Sequence, residues 1–222
     1  MPHQHPDDVD YVRAIAEHVA IHIGPVTNVF QEIQGDVVRI DLLVVGPRDG
    51  RPFTTLVTCG MSEFPMRVPL ENPEDLGLIP DLRFAELLLA LPPDWPLTSE
   101  AFLDEGNYWP LRWLKMLARL PHRTNGWLGL GHTVPNGEPP QPLASNLSFA
   151  GWLIDEPVVL PREIQKLSIG DRVINFYAAV PLYDDEIDLK VRQGGAALGQ
   201  KLDSGRVSEL IDPARRSVVD IA

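Results

Sequence analysis

Residues 109–136 read WPLRWLKMLARLPHRTNGWLGLGHTVPN. On a helix of about 3.6 residues per turn, Trp109, Leu111, Trp113, Leu114, Met116, Leu117, Ala118 and Leu120 cover more than half the circumference. Arg112, Lys115 and Arg119 share the remaining gap. A helix apolar over so wide an arc is buried on most sides. The pattern predicts a core helix with one wet basic seam. Asn107 is its expected N-cap, Pro110 is tolerated in its first turn, and Pro121 is expected to end it. The seam reads as a solvated stripe or as a docking site for an acidic segment.

Gly126, Gly129, Gly131, Pro135 and Gly137 punctuate the chain beyond this helix, and irregular sequence runs on to Pro142. About 20 residues without regular structure is long for a compact domain, and such loops often carry function. The partner-binding candidates are Asn125, Trp127, His132 and Asn136, with Arg112, Lys115 and Arg119 on the helix beneath. Trp127 either anchors a partner, as aromatics do at interfaces, or folds back onto the domain.

Working outward, residues 7–23 carry Val12, Ile15, Ala16, Val19 and Ile23 on one helical face, and Gly24-Pro25 stops them. His18 and His22 lie one turn apart, a spacing that can hold a metal, but off the apolar face and without a third ligand. They read as solvated. Strands are predicted over 26–33, 37–45 and 53–59, with Gln34-Gly35-Asp36 as a turn between the first two. In the second, Val38, Ile40, Leu42 and Val44 share one face, and Arg39 and Asp41 the other, expected partly wet. This run reads as an antiparallel meander. Asn72-Pro73-Glu74-Asp75 is a polar loop. Residues 82–91, LRFAELLLAL, fit either state, and Leu/Ala content favours helix.

Residues 100–104 read as a short helix capped by Thr98 or Ser99, and 147–154 as a strand. Residues 164–169 and 172–180 form a hairpin over Gly170-Asp171, its second arm apolar on both faces and therefore central. A helix follows from Asp184 or Asp185 to Arg192, Gly194-Gly195 interrupts it, and it resumes over 196–202. The folded domain spans 7–211, with loosely ordered tails at 1–6 and 212–222. Early strands, a middle helix and a late hairpin predict an α/β (α+β) domain with a central sheet and flanking helices.

The totals restrict the partners. A formal net charge of −12 disfavours nucleic acid, whose binding rests on phosphate neutralisation by Lys and Arg. It suits a basic protein partner. Cys59 is the single cysteine, so no internal disulfide forms, and a reducing compartment fits. No apolar run reaches the roughly 18 residues of a membrane span. With no leader-like N-terminus, a cytoplasmic protein is expected. No metal set or cofactor motif stands out.

Four blocks occur in order: TLVTCGMSEFPM (55–66), ELLLALPPDWP (86–96), the 109–136 stretch, and INFYAAVPLYDDEIDLK (174–190). Together they resemble the suppressor-of-fused domain family over roughly residues 20–205. The resemblance implies a single mixed α/β domain with a central, bent sheet, in which ELLLALP is a strand rather than a helix. Animal members bind and restrain a Hedgehog-pathway transcription factor, hold a partner peptide as an added strand, and carry a further C-terminal domain. Bacterial members resemble the N-terminal domain only, and some are thought to neutralise polymorphic toxins. No catalytic residue or cofactor is established for the family.

Three functions compete. The first is a non-enzymatic module that sequesters a protein partner, with an immunity protein against a basic toxin as its specific form. The second is a thiol- or histidine-dependent enzyme using Cys59 and His132, perhaps with Glu63, which would need these groups to converge. The third is a scaffolding domain without activity of its own.

Overall fold

The computed structural model describes residues 10–32, 37–69 and 79–219. The turn expected at Gln34-Gly35-Asp36, the polar loop at Asn72-Pro73-Glu74-Asp75 and the 1–6 tail lie outside them. The elements in chain order are α1 (Tyr11–His22), β1 (Asn28–Phe30), β2 (Asp41–Val45), β3 (Thr54–Cys59), α2 (Ile79–Leu82), β4 (Phe84–Leu91), α3 (Glu105–Thr124), β5 (Thr133–Pro135), β6 (Phe149–Asp155), β7 (Lys166–Ile169), β8 (Arg172–Tyr183), α4 (Asp184–Gln193) and α5 (Gly195–Ser204). Among the described residues the strands form one sheet in the order β1-β2-β3-β4-β8-β6-β5, with β7 also pairing β8. The first four strands are antiparallel neighbours. β4 and β8 are parallel, while β6 and β7 run antiparallel to β8. The sheet is mixed and the class is α/β.

Strand alternation sorts the core into two layers. Leu42 and Val44 of β2, Leu87 and Leu89 of β4, and Tyr177 and Ala179 of β8 join Trp109, Trp113, Leu114 and Leu117 of α3. Leu43 and Val45, Leu88 and Ala90, and Phe176 and Ala178 join Ile15 and Val19 of α1, Ile187 of α4, and Leu198 and Leu202 of α5. The sheet is thus covered on both faces. This is why β4 carries no polar/apolar alternation and is fully buried. Its Leu/Ala content is overridden by that burial, so the helix suggested by propensity is corrected to the strand implied by the resemblance.

The core helix is longer than expected at both ends. Asp104, not Asn107, is its N-cap, accepting from the Gly106 N–H. The Asn107 side chain instead donates to the Ala101 carbonyl. Pro121 does not end the helix but sits in its last turn. Asn125, at φ 54°, closes it by donating to the Pro121 carbonyl, and Gly126 donates there too. The short helix expected at 100–104 is a 3-10 turn, Ala101–Leu103, whose N-cap position is Glu100 rather than Thr98 or Ser99, although the Thr98 hydroxyl accepts from the Ala101 N–H.

The wet seam needs a larger correction. Arg119 is buried, only 7% exposed. It pairs with Glu32 and donates to the Val38 carbonyl at 3.2 Å. Glu32 and Val38, which lie between β1 and β2, reach this part of the helix, a long-range contact that a wheel does not show. Lys115 is half-buried beside it, its pKa lowered by burial against the opposing pull of Glu32. Met116, expected inside, is 39% exposed. Leu117→Ala is therefore expected to cost about 2–5 kcal/mol in urea unfolding. Met116→Ala should cost less than about 0.5 kcal/mol, and equal costs would contradict this orientation of α3.

His18 is also corrected. It is buried against Phe176 and donates through Nε2 to the Ile164 carbonyl at 3.1 Å. The 212–222 tail is not loose over its described part. Arg215 grips the buried Glu186 of α4 through two parallel bonds of 2.7 Å. Ser217 donates to Asp185 and the Val218 N–H to Glu186. Just before, Glu209 and Ile211 bond the backbone of Ala90 at the end of β4.

Candidate functional site: the loop after the core helix and the β5 edge

The loop leaves α3 through Asn125 and Gly126 and drives Leu128 into the core. Trp127 lies half-buried over its own loop. Its ring meets His132 edge-on, with centroids 4.3 Å apart. A Cβ at Gly129 would stand 2.8 Å from the Trp127 ring, so glycine there makes the fold-back possible. Backbone bonds then tie the loop to β6: Gly131 donates to Ile154, Ile154 to His132, and Asn136 to Ala150, each at 2.8 Å. What the sequence presents as irregular chain contains β5, registered Thr133 to Leu153 and Val134 to Trp152.

Among the described residues β5 has β6 on one side only. His132 and Asn136 point their backbone bonds inward, so by antiparallel alternation Thr133 and Pro135 point theirs outward. Proline supplies no N–H. The open edge therefore presents one donor, the Thr133 N–H, and two acceptors, the carbonyls of Thr133 and Pro135. Lys190 of α4 braces its start, bonded to the Gly131 carbonyl and, at 3.3 Å, to the Thr133 hydroxyl. Burial, with Lys190 adding to it, holds the His132 pKa below its ordinary value. Lys190 is itself lowered by burial, opposed by Asp155.

The remaining candidates divide. Asn136 staples the loop, its amide donating to the carbonyls of Gln141 and Pro142. Arg112 belongs to the same scaffold, bonding the Leu143 carbonyl at 2.9 Å and Glu105 at 2.6 Å. Trp113 donates to that same carbonyl. Lys115 and Arg119 do not join them, since both face Glu32. Asn125 lines a separate groove with Phe64 and Arg67.

Cys59 and His132 are not brought together. Four strand spacings separate β3 from β5, on the order of 19 Å. The thiol is 4% exposed. Burial, then the charges of Glu86 and Asp41, push its pKa well above the ordinary thiol range. Beside it lies a feature the residues signalled only by one carboxylate inside an apolar run. Glu86 is fully buried and accepts from the N–H groups of Gly60, Met61 and Ser62 and the hydroxyls of Thr58 and Ser62. Gly60, at φ 131°, makes this turn possible, because a Cβ there would fall 2.1 Å from the Arg39 carbonyl. The cluster is self-satisfied and reads as architecture.

Among the described residues no group of three or more His, Cys, Asp or Glu is arranged to hold a metal, and no helix is long and apolar enough to cross a membrane. What remains is a mixed α/β domain with an open strand edge beside an aromatic loop. The family description Suppressor of fused protein (SUFU) matches residues 36–216, and the chain belongs to that family. No curated protein sequence matches it. Its fold is similar to a solved suppressor-of-fused homologue from Neisseria gonorrhoeae FA 1090, at TM-score 0.65 and 18% identity over 94% of this chain and 97% of that one. A chain of the solved Sufu–Fu complex is similar at TM-score 0.63 and 16% identity, over 95% of this chain and 93% of that chain. Drosophila Suppressor of Fused gives the same TM-score and identity over 95% of this chain and 52% of its own.

Proposed function

We propose that this domain is a non-enzymatic binding module that takes an extended segment of a protein partner onto the β5 edge, beside Trp127 and His132. The observation that carries the reading is the open edge itself. It offers one donor and two acceptors to an incoming strand, and main-chain pairing of this kind supplies affinity while neighbouring side chains supply choice. A solved relative in complex with Fu makes a protein partner reasonable for the fold. The net charge of −12 favours a basic partner, and neutralisation of a basic toxin domain is the specific form of this proposal. Trp127 and His132 would contact the partner, while Asn136 and Arg112 position the loop.

Thr133→Pro tests it. The substitution removes the outward N–H and leaves the inward bonds of β5 to β6 in place. In pull-downs from the source cell it is expected to weaken capture of a specific partner roughly two- to tenfold, the worth of one backbone hydrogen bond. Trp127→Ala should weaken it further, provided circular dichroism shows an intact fold. Equal capture by wild type and both variants would place the site elsewhere.

A further inference from the structure

A second surface stands apart from β5. At the C-terminal end of α3 a groove of about 460 Å³ is lined by Val37, Phe64, Pro65, Arg67, Arg83 and Asn125, among others. Phe64 and Val37 are 50% and 48% exposed, large apolar groups that line the one groove. Arg67 and Arg83 make no ion pair with a carboxylate among the described residues, and the Arg83 Nε is buried without a hydrogen-bond partner. Among the described residues no carboxylate lines the groove. Glu63, adjacent in sequence to Phe64, lines the neighbouring cleft with Arg172 instead. His122 is already engaged, donating to the Met61 carbonyl at 2.8 Å. The described lining of the groove is therefore cationic and apolar, on a chain whose overall charge is strongly negative.

We propose that this groove docks an acidic segment of a protein partner, one whose carboxylates flank a bulky apolar side chain. The carboxylates would meet Arg67 and Arg83, and the apolar side chain would cover Phe64 and Val37. Guanidinium groups suit this role, since their planar fork matches a carboxylate. An exposed apolar patch rimmed by polar groups marks an interaction site. A nucleic acid fits less well, because its affinity needs many phosphate contacts and two guanidiniums offer few. The proposal is independent of the β5 reading.

The test uses the full chain, labelled with nitrogen-15, and a short blocked peptide of aspartates flanking a central phenylalanine pair. Titration is expected to shift the backbone amides of Val37, Phe64, Arg67, Asn125 and Gly126. Arg67→Glu and, separately, Phe64→Ser should each weaken this binding by roughly two- to fivefold, the worth of one exposed ion pair or a comparable apolar contact. Both side chains are exposed, so an unchanged melting temperature is expected to accompany the loss. Thr133→Pro should leave the peptide's affinity unchanged, which separates this site from β5. The same peptide with lysine for aspartate should shift none of these amides. The proposal is overturned if the aspartate peptide shifts no groove amide, if Arg67→Glu binds it equally well, or if an oligothymidylate shifts the same amides at lower concentration.

Discussion

Glu86→Ala is expected to destabilise the domain by about 3–5 kcal/mol, the range for leaving a buried, hydrogen-bonded charge site without its partner. The carboxylate answers three backbone N–H groups and two hydroxyls, and its removal orphans all of them in the interior. Three of these residues are held where water does not reach: Thr58 and Met61 are fully buried and Ser62 nearly so. Glu86→Gln should cost less, about 2–3 kcal/mol. The amide oxygen still accepts, but its NH2 faces N–H donors that cannot turn away. Urea unfolding followed by tryptophan fluorescence reads both, and an unchanged slope against denaturant would show that stability alone has moved. Cys59 gives a second readout. Loss of Glu86 removes one of the charges that hold its thiol up and loosens the turn beside it. Alkylation at neutral pH, slow in the wild type, should accelerate. An unfolding free energy within about 1 kcal/mol of wild type would refute the anchoring role of Glu86.

Arg215→Met is the second large effect, also expected near 3–5 kcal/mol. The methionine keeps much of the packing against the rings of Phe149 and Tyr183, over which the guanidinium lies at 5.0 and 4.7 Å. What it removes is the bidentate partner of Glu186, whose side chain is wholly buried. Two backbone donors, from Tyr183 and Val218, then remain for that carboxylate. Adding Glu186→Gln to Arg215→Met should restore part of the loss, because the uncompensated charge disappears. The double-mutant cycle should therefore be strongly non-additive. Simple addition of the two costs would mean that the pair does not act as a unit. Limited proteolysis offers a further check, with cleavage near residue 215 appearing only in the single variant.

The sheet's outline is legible in the chain wherever one face differs from the other. Val38, Ile40, Leu42 and Val44 alternate with Arg39 and Asp41, and the layer they enter follows directly. β4 is not legible in that way. Phe84 to Leu91 is buried on both faces, so no period of two survives, and its residues favour helix until burial decides. The ends of α3 were obscured by chemistry that acts beyond its wheel. Asp104 caps a turn earlier than the apolar pattern begins, and Pro121, which forfeits one N–H, is carried inside the last turn rather than ending the helix, with Asn125 and Gly126 bonding back to its carbonyl. Arg119 is hidden by Glu32, far away in sequence, and His18 by Ile164. Of the candidate site, the importance of the 125–142 stretch could be read from its length and its tryptophan. That it holds a strand, and that this strand is an edge, depends on the partner β6 and could not.

The parallel pairing of β4 with β8 also governs how the chain must be made. Phe84 waits for Ile174, and Leu88 for Ala178. At ~5–20 residues per second, the first four strands leave the ribosome on the order of ten seconds before β8 does. Throughout that interval β4 is an eight-residue apolar strand with one side unclaimed, the kind of template on which neighbouring chains aggregate. Closing so long a loop is also slow. Nascent copies of this protein are thus expected to be most prone to aggregation between the synthesis of β4 and that of β8, and chaperone depletion during that interval should lower their yield.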